Sequence, residues 1–266
     1  AAKQAGADIE MAGPLQEADA DAQIQALEEA IERKPQAIVV APYNHPRMPE
    51  MMGKIRSEGI RLVVIDTPLD IRPKPVFVGN DHQEAGRMAG MKAAELTDDR
   101  PVAAILSDFG YSAISDQRMK GVQATLGAYP KSLYGDYFCG DSEERAYDVT
   151  LSLLREKPDF NVIVALNQST TLGAAKAIKE AAAEDTVKLV GFDSSMNEIQ
   201  LLEEGVLSAT LVQKPFNMGY LGVRTAIDML DGKPAQSTFI ESTVVTKENM
   251  YTPEIQKLLF PFIETQ

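Results

Sequence analysis

The feature that most constrains this chain is a set of short apolar runs that alternate with longer amphipathic stretches. AIVVAP (Ala37–Pro42), RLVVID (Arg61–Asp66), VFVG (Val76–Gly79), Val102–Leu106, Val162–Leu166, KLVGFD (Lys188–Asp193) and Leu207–Val212 are all too short for helices and rich in β-branched or aliphatic residues. AIVVAP lacks the polar–apolar alternation of a half-solvated strand, so both its faces must be covered. Between these runs lie stretches of helical period. Over Asp19–Arg33 the apolar positions Ile24, Leu27 and Ile31 share one face, and Pro35 stops the helix. Strand and helix repeating at this spacing predict parallel sheets with right-handed crossovers. There are too many parallel strands for one comfortable sheet, so the expected fold is α/β with two doubly wound lobes.

The rest of the chain follows the same alternation. Ala1–Gly6 reads as the tail of a helix and Asp8–Met11 as a short strand. An α/β chain opening on a helix tail implies that a first strand and most of a first helix are absent. With no initiator Met and no signal peptide, this suggests a processed or trimmed form. Pro49–Glu58 is a helix ending at Gly59. Asp81 opens another, with Glu84 placed as its capping-box partner. Helices then follow over Ala113–Leu126, Glu143–Glu156, Thr170–Ala182, Met196–Glu203, Phe216–Leu230 and Pro253–Phe260, with a strand over Leu133–Phe138 and an extended Phe239–Thr246.

Charge narrows the partners. The net charge of −13 comes with no basic cluster, so no nucleic-acid partner is expected. No apolar run approaches the roughly 18 residues of a membrane span. Cys139 is the single cysteine, so no intrachain disulfide can form. His45 and His82 are isolated in sequence, and neither a metal nor a cofactor is expected.

The strand ends carry the chemistry. Asp66 ends RLVVID, Asn167 ends VIVALN, Asp193 ends KLVGFD and Gln213 ends LSATLVQ. Any one of them also fits a helix cap or a turn; after Asp193, Ser194 or Ser195 can cap the next helix, and an N-cap aspartate at Asp193 itself is the competing reading. Four at the carboxyl ends of parallel strands would face one crevice, where α/β proteins bind ligands. Carboxylates and amides offer paired acceptors and donors, which suits a ligand rich in hydroxyls. Arg118 adds a fork of donors unless it is spent on a surface salt bridge. Tyr43, Phe109, Tyr111 and Phe192 lie just past strands, where an aromatic face can cover a sugar ring or simply join the core. No GxSxG elbow, P-loop, HExxH or GxGxxG appears, so no enzyme activity is expected. Asp66 and Asp193 as a glycosidase pair are the remaining catalytic reading.

The motifs VVIDTP, VGNDHQEAGRMAG, SDQRMKGV, ALNQSTTLGAAKAI, VGFDSS, GVLSATLVQKP and TVVTKENMY together make the chain resemble the type I periplasmic sugar-binding proteins of ABC importers, the ribose-binding proteins in particular. The resemblance runs over nearly the whole length. It implies two doubly wound parallel-sheet lobes joined by a three-crossover hinge near Gly79/Asn80, Gln213/Lys214 and Glu241/Ser242. The N-terminal lobe would be 1–79 with 214–241, and the C-terminal lobe 80–213 with 242–266. By motif position, Asp66, Arg118, Asn167, Asp193 and Gln213 match the polar sugar ligands. Two positions depart: Thr67 stands where ribose binders carry an arginine, and Asp141 falls near their stacking aromatic. Both point to a pocket with different hydroxyl geometry, or a larger one.

The function implied is capture of a monosaccharide or related polyol between the lobes, and its delivery to the membrane subunits of an ABC importer. The protein would be a monomer, periplasmic or extracellular, lipid anchoring to the cell membrane being one such arrangement. Two alternatives share the pocket. One is a sugar sensor acting on a membrane kinase or chemoreceptor. The other is the effector core of a lactose-repressor-type regulator, against which the TVVTKENMY ending and the acidic charge weigh.

Overall fold

A computed structural model describes residues 1–14, 19–108, 112–156 and 159–261. Phe109 and Tyr111, two of the aromatics expected near a ligand, lie outside them.

The chain opens with α1 (Ala2–Ala5), closed by Gly6 in the left-handed conformation. Next come α2 (Ala20–Glu32), β1 (Ala37–Val40), α3 (Met48–Ser57), β2 (Arg61–Ile65) and β3 (Val76–Asn80). A second series follows: α4 (His82–Glu95), β4 (Ala103–Ser107), α5 (Ala113–Leu126), β5 (Leu133–Phe138), α6 (Glu143–Glu156), β6 (Val162–Ala165), α7 (Gln168–Glu180), β7 (Lys188–Phe192), α8 (Met196–Glu204) and β8 (Ala209–Val212). Then α9 (Pro215–Leu230) and β9 (Thr238–Ile240) return to the first series, while β10 (Thr243–Val245) and α10 (Pro253–Leu259) belong to the second. The chain thus divides into two compact units, 1–80 with 214–240 and 81–213 with 241–266. This is an α/β fold with parallel sheets.

In the first unit the sheet order is β1-β2-β3-β9, all parallel. Its core has two sides. Ile24, Leu27, Met51, Met52 and Ile55 from α2 and α3 pack with Val64 and Phe77. Val63, Val78, Met218, Ala226 and Ile240 form the other side, with α9 as cover.

Two expectations need correction here. Asp8–Met11 forms no strand; Ile9 and Met11 are exposed, and no strand among the described residues pairs with them. Strand geometry without a ladder partner leaves its peptide groups nothing to bond except water. AIVV is a strand, but Ala37, Ile38 and Val39 are only half-buried. β1 pairs with β2 alone among the described strands, so one of its edges has no neighbour to cover it.

The second unit has the order β10-β8-β7-β6-β4-β5, parallel except for antiparallel β10. β4, β6 and β8 are buried at every residue, as non-alternating runs require. The chain enters this sheet at β4, moves outward to β5, then crosses back to β6, β7 and β8. The gap beyond β4 and β6 is therefore a topological switch point, where helices leave in opposite directions and α/β sheets hold ligands.

Helix starts follow the sequence signals. Asp19 Oδ1 accepts from Ala22 N at 2.9 Å, and Asp81 Oδ1 from Glu84 N at 2.9 Å. Glu84 does not complete the capping box; its Oε2 takes Arg87 Nε at 2.7 Å instead. An ion pair on the helix surface wins because it satisfies a full charge rather than one backbone N–H.

Candidate functional site

In the second unit, Asp193 and Gln213 meet at the carboxyl end of one sheet, with Asn167 past the neighbouring strand β6. Asp193 follows β7 with φ 80°, a left-handed backbone that few non-glycine residues adopt. It is pinned from three sides by the neighbouring strand β8. Asp193 N donates to Leu211 O at 3.0 Å. The Thr210 hydroxyl donates to Asp193 O at 2.7 Å, and Gln213 Nε2 donates to Asp193 Oδ1 at 3.2 Å. Gln213 Oε1 is shielded from water and has no hydrogen-bond partner among the described residues. Asp193 is not the N-cap of α8. That role belongs to Ser195, which forms a capping box with Glu198. The aspartate is thus free of capping work, and its remaining acceptor sites are available at the strand end.

Asn167, just past β6, does cap its helix. Its Oδ1 accepts from Thr170 N at 3.0 Å and from the Thr170 hydroxyl at 2.6 Å. What it can offer a ligand is its amide N–H pair. The Ser169 hydroxyl lies 3.2 Å from Asn167 Oδ1 and 2.5 Å from Asp141 Oδ1, which ties the exposed Asp141 to this edge.

Arg118 is not in a surface salt bridge. Only 3% exposed, it donates from Nη1 to Leu166 O at 2.7 Å and lies on the Phe192 ring, 4.1 Å from its centroid. Phe192 is correspondingly not a platform with an open face. It is a core residue packed with Val164, Val190 and Leu211, and the guanidinium occupies its ring. Around the buried guanidinium the π face and a carbonyl stand where water would otherwise be.

The first unit presents Asp66 in the same backbone setting. Its φ is 61°, and its N donates to Val78 O on neighbouring β3 at 3.1 Å, as Asp193 does to β8. The Thr67 hydroxyl is 3.5 Å from Asp66 Oδ2, at the limit of a hydrogen bond. Half-buried Tyr43 follows β1, its N donating to Gln23 Oε1 at 2.8 Å.

Two buried carboxyls were not singled out in the sequence. Asp108, one residue past β4, is 7% exposed. Burial pushes its carboxyl up, against a hydrogen bond from Ser115, and the charge of Asp141 adds to the rise. Its position past a strand end was the available signal. Glu198 is fully buried; its Oε2 accepts from Ser195 N at 2.7 Å and from the Ser195 hydroxyl at 2.8 Å. Burial pushes Glu198 up to about 8, and the Asp193 charge contributes. Its signal was the S-x-x-E spacing, but nothing local tells that the helix face is buried. Among the described residues, no three acidic, His or Cys groups cluster to hold a metal, and no helix is long and apolar enough to cross a membrane.

Residues 1–234 match the family model of the periplasmic binding protein domain. The chain belongs to that family. Among curated relatives of this periplasmic binding protein, the D-ribose/D-allose-binding protein of Pseudomonas aeruginosa is 26% identical over 227 residues, 83% of this chain and 71% of the relative. A sugar transporter from Clostridium phytofermentans is 33% identical, covers 92% of this chain and 89% of that one, and superposes with a TM-score of 0.79. A carbohydrate transporter solute-binding protein from Agrobacterium radiobacter, in complex with D-arabinose, is 25% identical with a TM-score of 0.87, covering 97% and 90% of the two chains.

Proposed function

We propose that this periplasmic binding protein captures a monosaccharide or related polyol outside the cytoplasm and delivers it to an ABC importer, without altering the sugar chemically. The observation that carries this reading is the Asp193–Gln213 pair at the ends of β7 and β8, with Asp193 in a left-handed backbone. Strain of this kind persists where surrounding structure over-determines it, and it collects at binding sites. A carboxylate there accepts two ligand hydroxyls, and Gln213 adds an acceptor already shielded from water. Asn167 and Arg118 supply donors to the same ligand. Asp66, Thr67 and Tyr43 of the first unit are further proposed contacts, as is Tyr111. Two of the proteins named above are described with ribose and allose or with arabinose, which supports a sugar of this size. Docking on the importer's membrane subunits as a monomer, with lipid anchoring as one mode of retention, belongs to the same proposal.

The test is a thermal-shift screen against monosaccharides and polyols, followed by chromatography of the bound sugar. A ligand at 100 times its Kd stabilises the folded state by about 2.7 kcal/mol, a clear rise in Tm. Recovery of the sugar unchanged is expected; a chemically converted sugar would replace this reading with an enzymatic one.

A further inference from the structure

Asp108 has no role in the site as described so far. It follows β4, the strand where the second unit's sheet reverses its winding, and so stands at the switch point, as Asn167 does two residues past β6. The Ser115 hydroxyl bonds its carboxyl, yet Asp108 Oδ1 is shut off from water and has no partner among the described residues. An orphaned carboxylate oxygen in a water-excluded position is costly, and a native chain keeps one where a ligand completes it.

The local charges say what kind of ligand. Asp141 acts on Asp108 as a like charge and Arg118 as an opposite one. Arg118 gives its Nη1 to Leu166 O and lays its face on the Phe192 ring. Asp141 reaches the same edge through Ser169 and Asn167. A sugar hydroxyl would give Asp108 one donor and leave the like charge of Asp141 uncompensated. An ammonium brings three donors and the compensating charge.

We propose that Asp108 and Asp141 form a receptor for an ammonium group on the ligand, so that the preferred sugar is an amino sugar. This rests on the sugar-binding reading above and narrows it. Asp108 raises affinity by meeting the cation, and Asp141, more exposed, adds a longer-range attraction.

The experiment is calorimetric titration at pH 6, where a sugar amine is protonated. The ligands are amino sugars such as D-glucosamine and D-galactosamine, their neutral parents, and their N-acetylated forms. The amino sugar whose parent fits is expected to bind at least about tenfold tighter than that parent, as a charge-assisted bond gives. N-acetylation should abolish the gain. Asp108→Asn should remove the preference while keeping the shape, and Asp141→Asn, at an exposed position, should reduce it with melting unchanged. A neutral parent that binds as tightly as its amine, or a preference that survives both substitutions, overturns the amino-sugar inference and leaves sugar capture standing. If no sugar of any of the three kinds binds, the sugar-binding reading fails and this inference fails with it.

Discussion

The two units bring their helices to close quarters in different ways. In the second, helices meet backbone to backbone through glycine. A Cβ at Gly121 would stand 2.0 Å from Gln83 O, and one at Gly86 2.0 Å from Arg118 O. Likewise, a Cβ at Gly173 of α7 would lie 2.2 Å from Glu143 O of α6. In the first unit, Gly222 of α9 faces only side chains of the sheet, with Ile65 Cγ2 at 2.8 Å and Val39 Cγ1 at 3.0 Å. Backbone cannot move aside as a methyl group can. The second unit's helix pair therefore fixes the main chain of Arg118, and the Phe192 ring and the Leu166 carbonyl help place its guanidinium. Precision at the site is built into the helix contact, one layer away from the strand ends.

The same substitution in the two units breaks or sustains that comparison. Gly121→Ala should cost about 3 kcal/mol or more, at the upper end of overpacking because a carbonyl must be displaced. Gly222→Ala should stay within about 1 kcal/mol of neutral, since the gain in helix propensity offsets small side-chain adjustments. Urea denaturation of both variants checks this, and comparable losses at the two positions would remove the distinction.

A second contrast is electrostatic. The first unit's charges pair on the surface, as Lys54 does with Glu50, where solvent and salt screen them. The second unit buries Glu198, pushed up to about 8 by its surroundings. Between the ordinary glutamate value and about 8, the folded state holds a proton on Glu198 that the unfolded state has lost. Its contribution to stability is therefore complete at low pH and declines as pH rises through this window. The slope is at most about 1.4 kcal/mol per pH unit, on the order of a few kcal/mol in all. Glu198→Gln should flatten that part of the stability–pH curve relative to the parent. Two parallel curves would show that Glu198 ionises normally.

The comparison also explains what could be read in the sequence. Buried parallel strands announce themselves by lacking alternation, so nearly every strand and helix was legible within a residue or two. Asp8–Met11 failed because a strand needs a partner that local pattern does not reveal. The strand-end set was visible as residue types, since Asp193 and Gln213 follow unmistakable apolar runs. Capping was legible in part: a serine after Asp193 was available to cap α8, and Ser195 does so, whereas the sequence left open that Asn167 caps α7. Phe192 carried no mark distinguishing a sugar platform from a seat for Arg118. Asp108 and Glu198 were missed because burial of a carboxyl is a tertiary property.

Asp66 and Asp193 offer the closest comparison of all, two aspartates with left-handed backbones donating to the next strand in their separate units. Asp193 is joined by the strand-end amide of Gln213, whose own Oε1 is shielded and has no partner among the described residues, so Asp193 should contribute more to binding. The decisive measurement is sugar titration calorimetry with thermal melts for Asp193→Asn beside Asp66→Asn. Asparagine tolerates the left-handed backbone, so the fold is not confounded with the site. Removing a charged hydrogen-bond acceptor costs about 1.5–3 kcal/mol, so Asp193→Asn should bind its sugar at least about tenfold more weakly with an unchanged Tm. Asp66→Asn should lose less. Unchanged affinity with a lowered Tm in Asp193→Asn would contradict the account and make the aspartate a structural residue of the β7–β8 edge.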